Sequence, residues 1–273
     1  MNFLNLPEEY CKEDSYFCVY GILFEGNVTY GQGSKKGPHE IIKASKQLEY
    51  YDEQFDSEAF QKGIVYKEIK SFKDDKDMIS KVIKNFPKNE FIVSLGGDHS
   101  VTLGCVGALE NDELFDVIIF DAHSDLRDSW NDSIYNHACV SKRLSKKHNL
   151  LICGVRSQDI DEVREKPKNV EIIKSYDMDM EIFKEKLSTL SDKIYISIDV
   201  DVFDPSFIRN TGTPEPGGFF WENLIDYLKI IFKTKNVLSC DVVEFAPNEN
   251  YRAESYSLAK LCYKLINLKD KFN

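Results

Sequence analysis

Three polar side chains spaced by two, Asp121, His123 and Asp125, follow a run of apolar residues in "DVIIFDAHSDLRDSW", residues 116–130. An apolar run of this kind reads as a buried strand. The same ending recurs along the chain. "GGDHS" after "FIVSL" brings Asp98 and His99, "DVDVFDP" after "YISI" brings Asp199, Asp201 and Asp204, and Glu244 follows "SCDVV". Side chains alternate along extended backbone, so Asp121, His123 and Asp125 are expected to share one side, as are Asp199 and Asp201. Asp121, Asp125, Asp199 and Asp201 would then converge. At a few ångströms each carboxylate pair repels by several kcal/mol, which a chain tolerates only with protons or cations between them. Two divalent cations would balance four carboxylates. Mixed carboxylate and imidazole donors without candidate thiolates suit Mn(II) and argue against a soft metal. The chemistry predicted is a two-metal centre that makes a water between the cations acidic enough to attack near neutral pH.

Each of these residues alone has an ordinary explanation. An aspartate at a strand end often caps a helix, and a lone histidine is usually a satisfied core or surface residue. Asp98 is expected to hold its own loop, and Asp204, before Pro205, to make a turn. The metal reading rests on three such clusters together. "YGQGSKKGP" (30–38) matches neither common phosphate-loop spacing and is read as a turn-rich loop entering a helix near Pro38. "TGTPEPGG" is a rigid loop placed to border the site. Trp130, Tyr135 and Trp221 could line a pocket, although aromatics more often belong to the core.

The elements that must position these groups are short β-rich runs alternating with helical patterns. Strands are predicted at 16–22, 63–69, 91–96, 116–122, 150–155, 170–175, 193–202 and 236–245. Helices are predicted at 37–49, 74–85, 100–110, 137–147, 179–190, 219–234 and 253–268. Several strands are continuously apolar, as strands covered on both faces should be. The pattern predicts one domain, residues 1–273, with a mostly parallel sheet wrapped by helices and a site beyond the strands' carboxyl ends.

Composition narrows the partners. A net charge of −11 over 273 residues disfavours nucleic acid or an anionic membrane and fits a cationic small molecule. The seven cysteines lack close pairs and read as reduced, buried thiols. With no signal-peptide pattern at the N-terminus and no membrane-length apolar run, a cytoplasmic location is expected.

"GGDHS", "DAHSD", "SIDVDVFDP" with "TGTPEPGG", and "DVVEFAP" together resemble the ureohydrolases, the arginases, agmatinases and their relatives. The resemblance runs from about residue 20 to about residue 265. It implies a three-layer α/β/α sandwich around an eight-stranded parallel sheet with two Mn(II) ions at its carboxyl edge. One ion would be held by His99, Asp121, Asp125 and Asp199, the other by Asp121, His123, Asp199 and Asp201. His137 matches a family histidine that would act as acid/base or proton shuttle, with Asp125 relaying a proton to the leaving amine. Glu244 matches the glutamate that receives the substrate guanidinium, and Thr213 lies in the matching substrate loop. Family members form trimers or hexamers, so a homo-oligomer is expected.

The reaction implied is hydrolysis of a guanidino group to urea and an amine. "EPGG" and "NHACVSKRL" resemble agmatinases, especially the archaeal type, more than arginases. Agmatine is therefore the expected substrate, with aminopropylagmatine, guanidinobutyrate and arginine as alternatives. A zinc deacetylase would normally carry adjacent histidines, and this sequence has none. A catalytically silent metal-binding protein is the third reading.

Overall fold

The structure is a computed structural model that describes residues 1–26, 28, 30–110 and 114–273. All eight predicted strands form. They are β1 (Phe17–Ile22), β2 (Ile64–Ile69), β3 (Phe91–Leu95), β4 (Asp116–Phe120), β5 (Leu150–Val155), β6 (Val170–Lys174), β7 (Lys193–Asp199) and β8 (Asn236–Val243). They build one eight-stranded sheet, parallel throughout, in the order β2-β1-β3-β8-β7-β4-β5-β6.

Strand alternation feeds two apolar layers. Val19, Ile118 and Ile196 face a core built with α1 (Gly37–Ser45), α6 (Met180–Ser188), α7 (Trp221–Thr234) and α8 (Arg252–Phe272). Tyr20, Ile119 and Tyr195 face the other core, built with α2 (Asp75–Asn85), α3 (Val101–Leu109) and α4 (Val140–Leu144). This is the three-layer α/β/α sandwich, and it explains why the strands read as continuously apolar.

Two differences from the predicted elements bear on function. The segment expected to be helical over 137–147 opens with a 3-10 turn, His137–Cys139, and is α-helical only over Val140–Leu144. A five-residue helix, α5 (Ile160–Arg164), was not expected. Its apolar residues Ile160 and Val163 point outward, so it carries no amphipathic stripe for periodicity to detect. A capping box between Asp159 and Glu162 holds it instead.

The loop at residues 30–38 behaves as predicted. Gly33 is left-handed (φ 119°) and Pro38 sits in the first turn of α1. Glu25 accepts from Gly33 N, Ser34 Oγ and Lys35 N, so a carboxylate of the chain fills the place a phosphate would need.

Candidate metal centre

The four strands that end in chemistry, β3, β8, β7 and β4, are neighbours at the centre of the sheet. Register then does the positioning. Phe120 of β4 pairs with Ile198 of β7, so Asp121 and Asp199 emerge side by side. Asp199 pairs with Val243 of β8, which places Glu244 next to them. On β3 the turn into α3 carries His99. Gly97 is needed there, because a Cβ would lie 1.6 Å from Phe24 O. Asp98 secures this turn by accepting from Gly26 N and from Ser100, as expected of a structural residue. Asp204 likewise makes a turn, accepting from Ser206, Gly217 and Gly218.

Three carboxylates converge on one imidazole nitrogen. His99 Nδ1 lies 3.2 Å from Asp121 Oδ2, 3.1 Å from Asp125 Oδ2 and 3.2 Å from Asp199 Oδ2. A second group adjoins the first, with His123 Nδ1 2.9 Å from Asp201 Oδ2 and 3.6 Å from Asp121 Oδ1. His99, Asp121 and Asp125 form one triad of donor atoms with metal-binding spacing, and Asp121, His123 and Asp201 form another. Asp121 belongs to both.

Asp125 joins Asp121 as predicted, but not by the predicted means. β4 stops at Phe120, and Asp125 adopts a left-handed backbone, φ 51°. Strand alternation therefore does not place it; a turn does. Asp201 is also outside its strand, in a 3-10 turn over Val200–Val202. Glu244 is left-handed as well, φ 65°. A non-glycine residue in this region costs on the order of 1 kcal/mol or more, a strain that surrounding structure must hold in place.

The electrostatics show how strained the charge balance is. Burial, then the Asp121 charge, pushes Asp125 up to about 7 despite the His99 contact. Burial and the charges of Asp201 and Asp121 raise Asp199 well above the carboxylate range, and burial raises Asp201. Burial works against His123 as a cation, but Asp201 and Asp121 outweigh it and raise it to about 12. Among the described residues, protons and the Arg156 guanidinium, which interacts with Asp201 and Asp121, offset part of this charge.

The donor chemistry favours cations. Ser197 Oγ donates to Asp241 Oδ1 at 2.6 Å, so it must accept from His99 Nε2 at 3.0 Å. That assignment leaves Nδ1 as the atom facing three carboxylates. One proton on Nδ1 cannot satisfy three oxygens at once, whereas a cation among them can. His99 Nδ1 and Asp121 Oδ2 are both buried without a hydrogen-bond partner among the described residues. The residues thus fit a pair of divalent ions.

A cavity of about 260 Å³ opens over this cluster. His137, Thr213, Glu244 and Trp130 line it, together with Asp125, Asp199 and Asp201. Tyr135 and Trp221 instead pack against the two cores. Burial, followed by the charges on His99 and His123, lowers His137 to about 4, so it is a neutral imidazole near pH 7. Glu244 Oε1 accepts from His99 N at 2.7 Å, and Oε2 lies beside Gly212 at the cavity wall.

A model of the arginase family matches residues 15–267. The chain belongs to the arginase family. It is 33% identical over 275 residues to the agmatinase of Pyrococcus horikoshii, covering 97% of this chain and 95% of that protein. It is 32% identical over 273 residues to the N(1)-aminopropylagmatine ureohydrolase of a Synechocystis species, covering 93% and 89%. The solved agmatine ureohydrolase of Thermoplasma volcanium superposes with a TM-score of 0.85 at 30% identity, covering 95% of this chain and 91% of that one.

Three residues of this arginase-family chain that hold the site in place escaped sequence reasoning. Asp241, fully buried on β8, orients Ser197 and also accepts from Tyr195 Oη at 2.6 Å. Arg156 donates to the carbonyls of Asp201 (2.7 Å), Phe203 (3.2 Å) and Glu215 (2.8 Å), clamping the Asp201 turn to the "TGTPEPGG" loop. Glu162 reaches the Asp125 turn. Two weak signals were available: "SCDVVEF" has an acid inside a strand, where an unpaired carboxylate would be costly, and Asp159 and Glu162 have the spacing of a capping box.

Proposed function

We propose that this chain is a binuclear metal hydrolase that cleaves the guanidino group of agmatine to putrescine and urea. His99, Asp121, Asp125 and Asp199 would hold one Mn(II), and Asp121, His123, Asp199 and Asp201 the other. The observation that carries the reading is the pair of donor triads sharing Asp121 beneath a cavity with Glu244 in its wall. Bound there, the ions would supply a water acidic enough to add to the guanidino carbon near neutral pH.

The chain's own residues supply the rest. The substrate is a delocalised cation, and Glu244 Oε2 is placed to accept its N–H groups and hold its plane over the cluster. Asp125, at the cavity floor, accepts a proton as water adds to the central carbon and passes it to the departing nitrogen. The water's second proton leaves the new urea oxygen and is taken up by the amine, with His137, at the cavity wall, exchanging protons with solvent. The balance is one guanidinium and one water in, one urea and one alkylammonium out.

The distal end of the substrate decides between candidates. Asp159 and Glu162 line the cavity with the site carboxylates, and Arg127, the guanidinium among the lining groups, lies 3.7 Å from Asp159. An acidic wall favours a distal ammonium over a carboxylate, which disfavours guanidinobutyrate and arginine. A relative named N(1)-aminopropylagmatine ureohydrolase supports aminopropylagmatine as the second reading.

Urea release with Mn(II) from agmatine, aminopropylagmatine, guanidinobutyrate and arginine tests this. The two amines are expected to exceed the two acids in kcat/KM by at least about tenfold, the effect of one charged contact. Turnover of none of the four would sink the hydrolase reading.

The Ser197 bridge gives a second expectation. Ser197→Ala leaves His99 free to rotate and is expected to weaken Mn(II) binding by about 10–100-fold, with the fold retained. Mn(II) titration followed by electron paramagnetic resonance measures it. Unchanged affinity would show that the bridge does not orient His99.

A further inference from the structure

We propose that Glu162 is a positioning residue whose carboxylate locks Asp125 in its left-handed conformation against His99. The inference rests on the metal-hydrolase reading above. Glu162 Oε1 accepts from Ser124 Oγ at 2.8 Å and from Leu126 N at 2.9 Å, the two residues that flank Asp125. Its other oxygen accepts from Asp159 N at 2.8 Å. One buried carboxylate therefore ties the Asp125 turn to the cavity wall.

The ordinary role of Glu162 is to cap α5, and that role needs only Oε2. The helix has five residues and exposes Ile160 and Val163, so little packing depends on it. Oε1 is spent on a turn 36 to 38 residues away. From the opposite side, Asp125 O accepts from Lys142 N at 3.1 Å and Arg127 N donates to Ala138 O at 3.2 Å. The turn is thus held at both edges, and Glu162 supplies the edge that has no backbone partner among the described residues. Without it, Ser124 and Leu126 N lose a buried acceptor and the turn is free to relax to an unstrained conformation that withdraws Asp125 from His99.

Two substitutions separate the clamp from the cap. Glu162→Ala removes both. Glu162→Gln can keep an oxygen toward Ser124 and Leu126 while its amide nitrogen faces Asp159 N, losing the cap alone. Hydrogen exchange by mass spectrometry reads each segment, and Mn(II) titration reads the site. In Glu162→Ala, exchange over residues 124–126 is expected to rise and Mn(II) affinity at one of the two sites to fall by at least about tenfold. In Glu162→Gln, exchange is expected to rise over 159–161 only, with Mn(II) affinity within about threefold of the parent enzyme. The proposal is overturned if Glu162→Gln loses as much affinity as Glu162→Ala. It is equally overturned if folded Glu162→Ala keeps its affinity or its protection at 124–126. Should Glu162→Ala fail to fold, Ser124→Ala, which removes one of the two Oε1 contacts, takes its place: exchange over 124–126 is expected to rise and Mn(II) affinity to fall, and parent-like values of both overturn the proposal. If the unsubstituted protein binds no Mn(II), the hydrolase reading fails, and the exchange data alone decide whether the clamp exists.

Discussion

Asp121→Ala is expected to lose both cations and to reduce urea release by more than about a hundredfold, beyond the usual effect of removing an outer-shell partner. The reason is its double membership. One carboxylate oxygen lies 3.2 Å from His99 Nδ1 and the other 3.6 Å from His123 Nδ1, so truncation opens both donor sets at once. Asp199→Ala should follow it, since both proposed ligand sets include Asp199, whose Oδ2 stands 3.2 Å from the same His99 atom. His123→Ala opens only the set containing Asp201 and is expected to leave one ion bound. Metal analysis after dialysis distinguishes one from none, and the urea assay runs beside it. The fold should survive, because removing a carboxylate relieves repulsion among the remaining acids. Near-normal metal content in Asp121→Ala would exclude a shared ligand.

The strands and their polar endings were legible because both-face burial and strand-end chemistry are local properties. Asp121, Asp199 and Glu244 each follow their own apolar run, and that was enough to group them. Their actual contact depends on β3, β8, β7 and β4 being neighbours, an order that no local pattern encodes. Alternation was the wrong reason for Asp125. Its place depends on a left-handed turn held by Glu162 from a distant segment, and periodicity cannot report a tertiary clamp. The short helix that carries Glu162 was missed for a related reason: capping stabilises it and its apolar residues face water. Asp241 and Arg156 act through hydrogen bonds to Ser197 and to loop carbonyls, so their types fit an unremarked core acid and a surface cation equally well until the fold joins them.

Glu244 is where the structure changes which experiment is informative. Truncation to alanine would remove its cavity oxygen and also the acceptor of His99 N, disturbing the backbone of a proposed metal ligand along with the proposed substrate contact. Glu244→Gln separates the two. Its amide oxygen can still accept from His99 N, while the amide nitrogen replaces the oxygen that would meet the guanidinium. Neutralisation also removes the burial cost of the charged form, since burial and the charge of Asp98 raise Glu244 well above the carboxylate range. Folding and Mn(II) content should therefore hold. A hydrogen bond to a charged partner contributes about 1.5–3 kcal/mol, so substrate affinity should fall roughly 10- to 100-fold. Because the same contact orients the guanidinium for attack, kcat should fall with it rather than KM rising alone. Steady-state kinetics with agmatine, alongside metal analysis, reads both. Parent-like KM and kcat would remove Glu244 from the substrate site, and lost metal would make it a support for His99 instead.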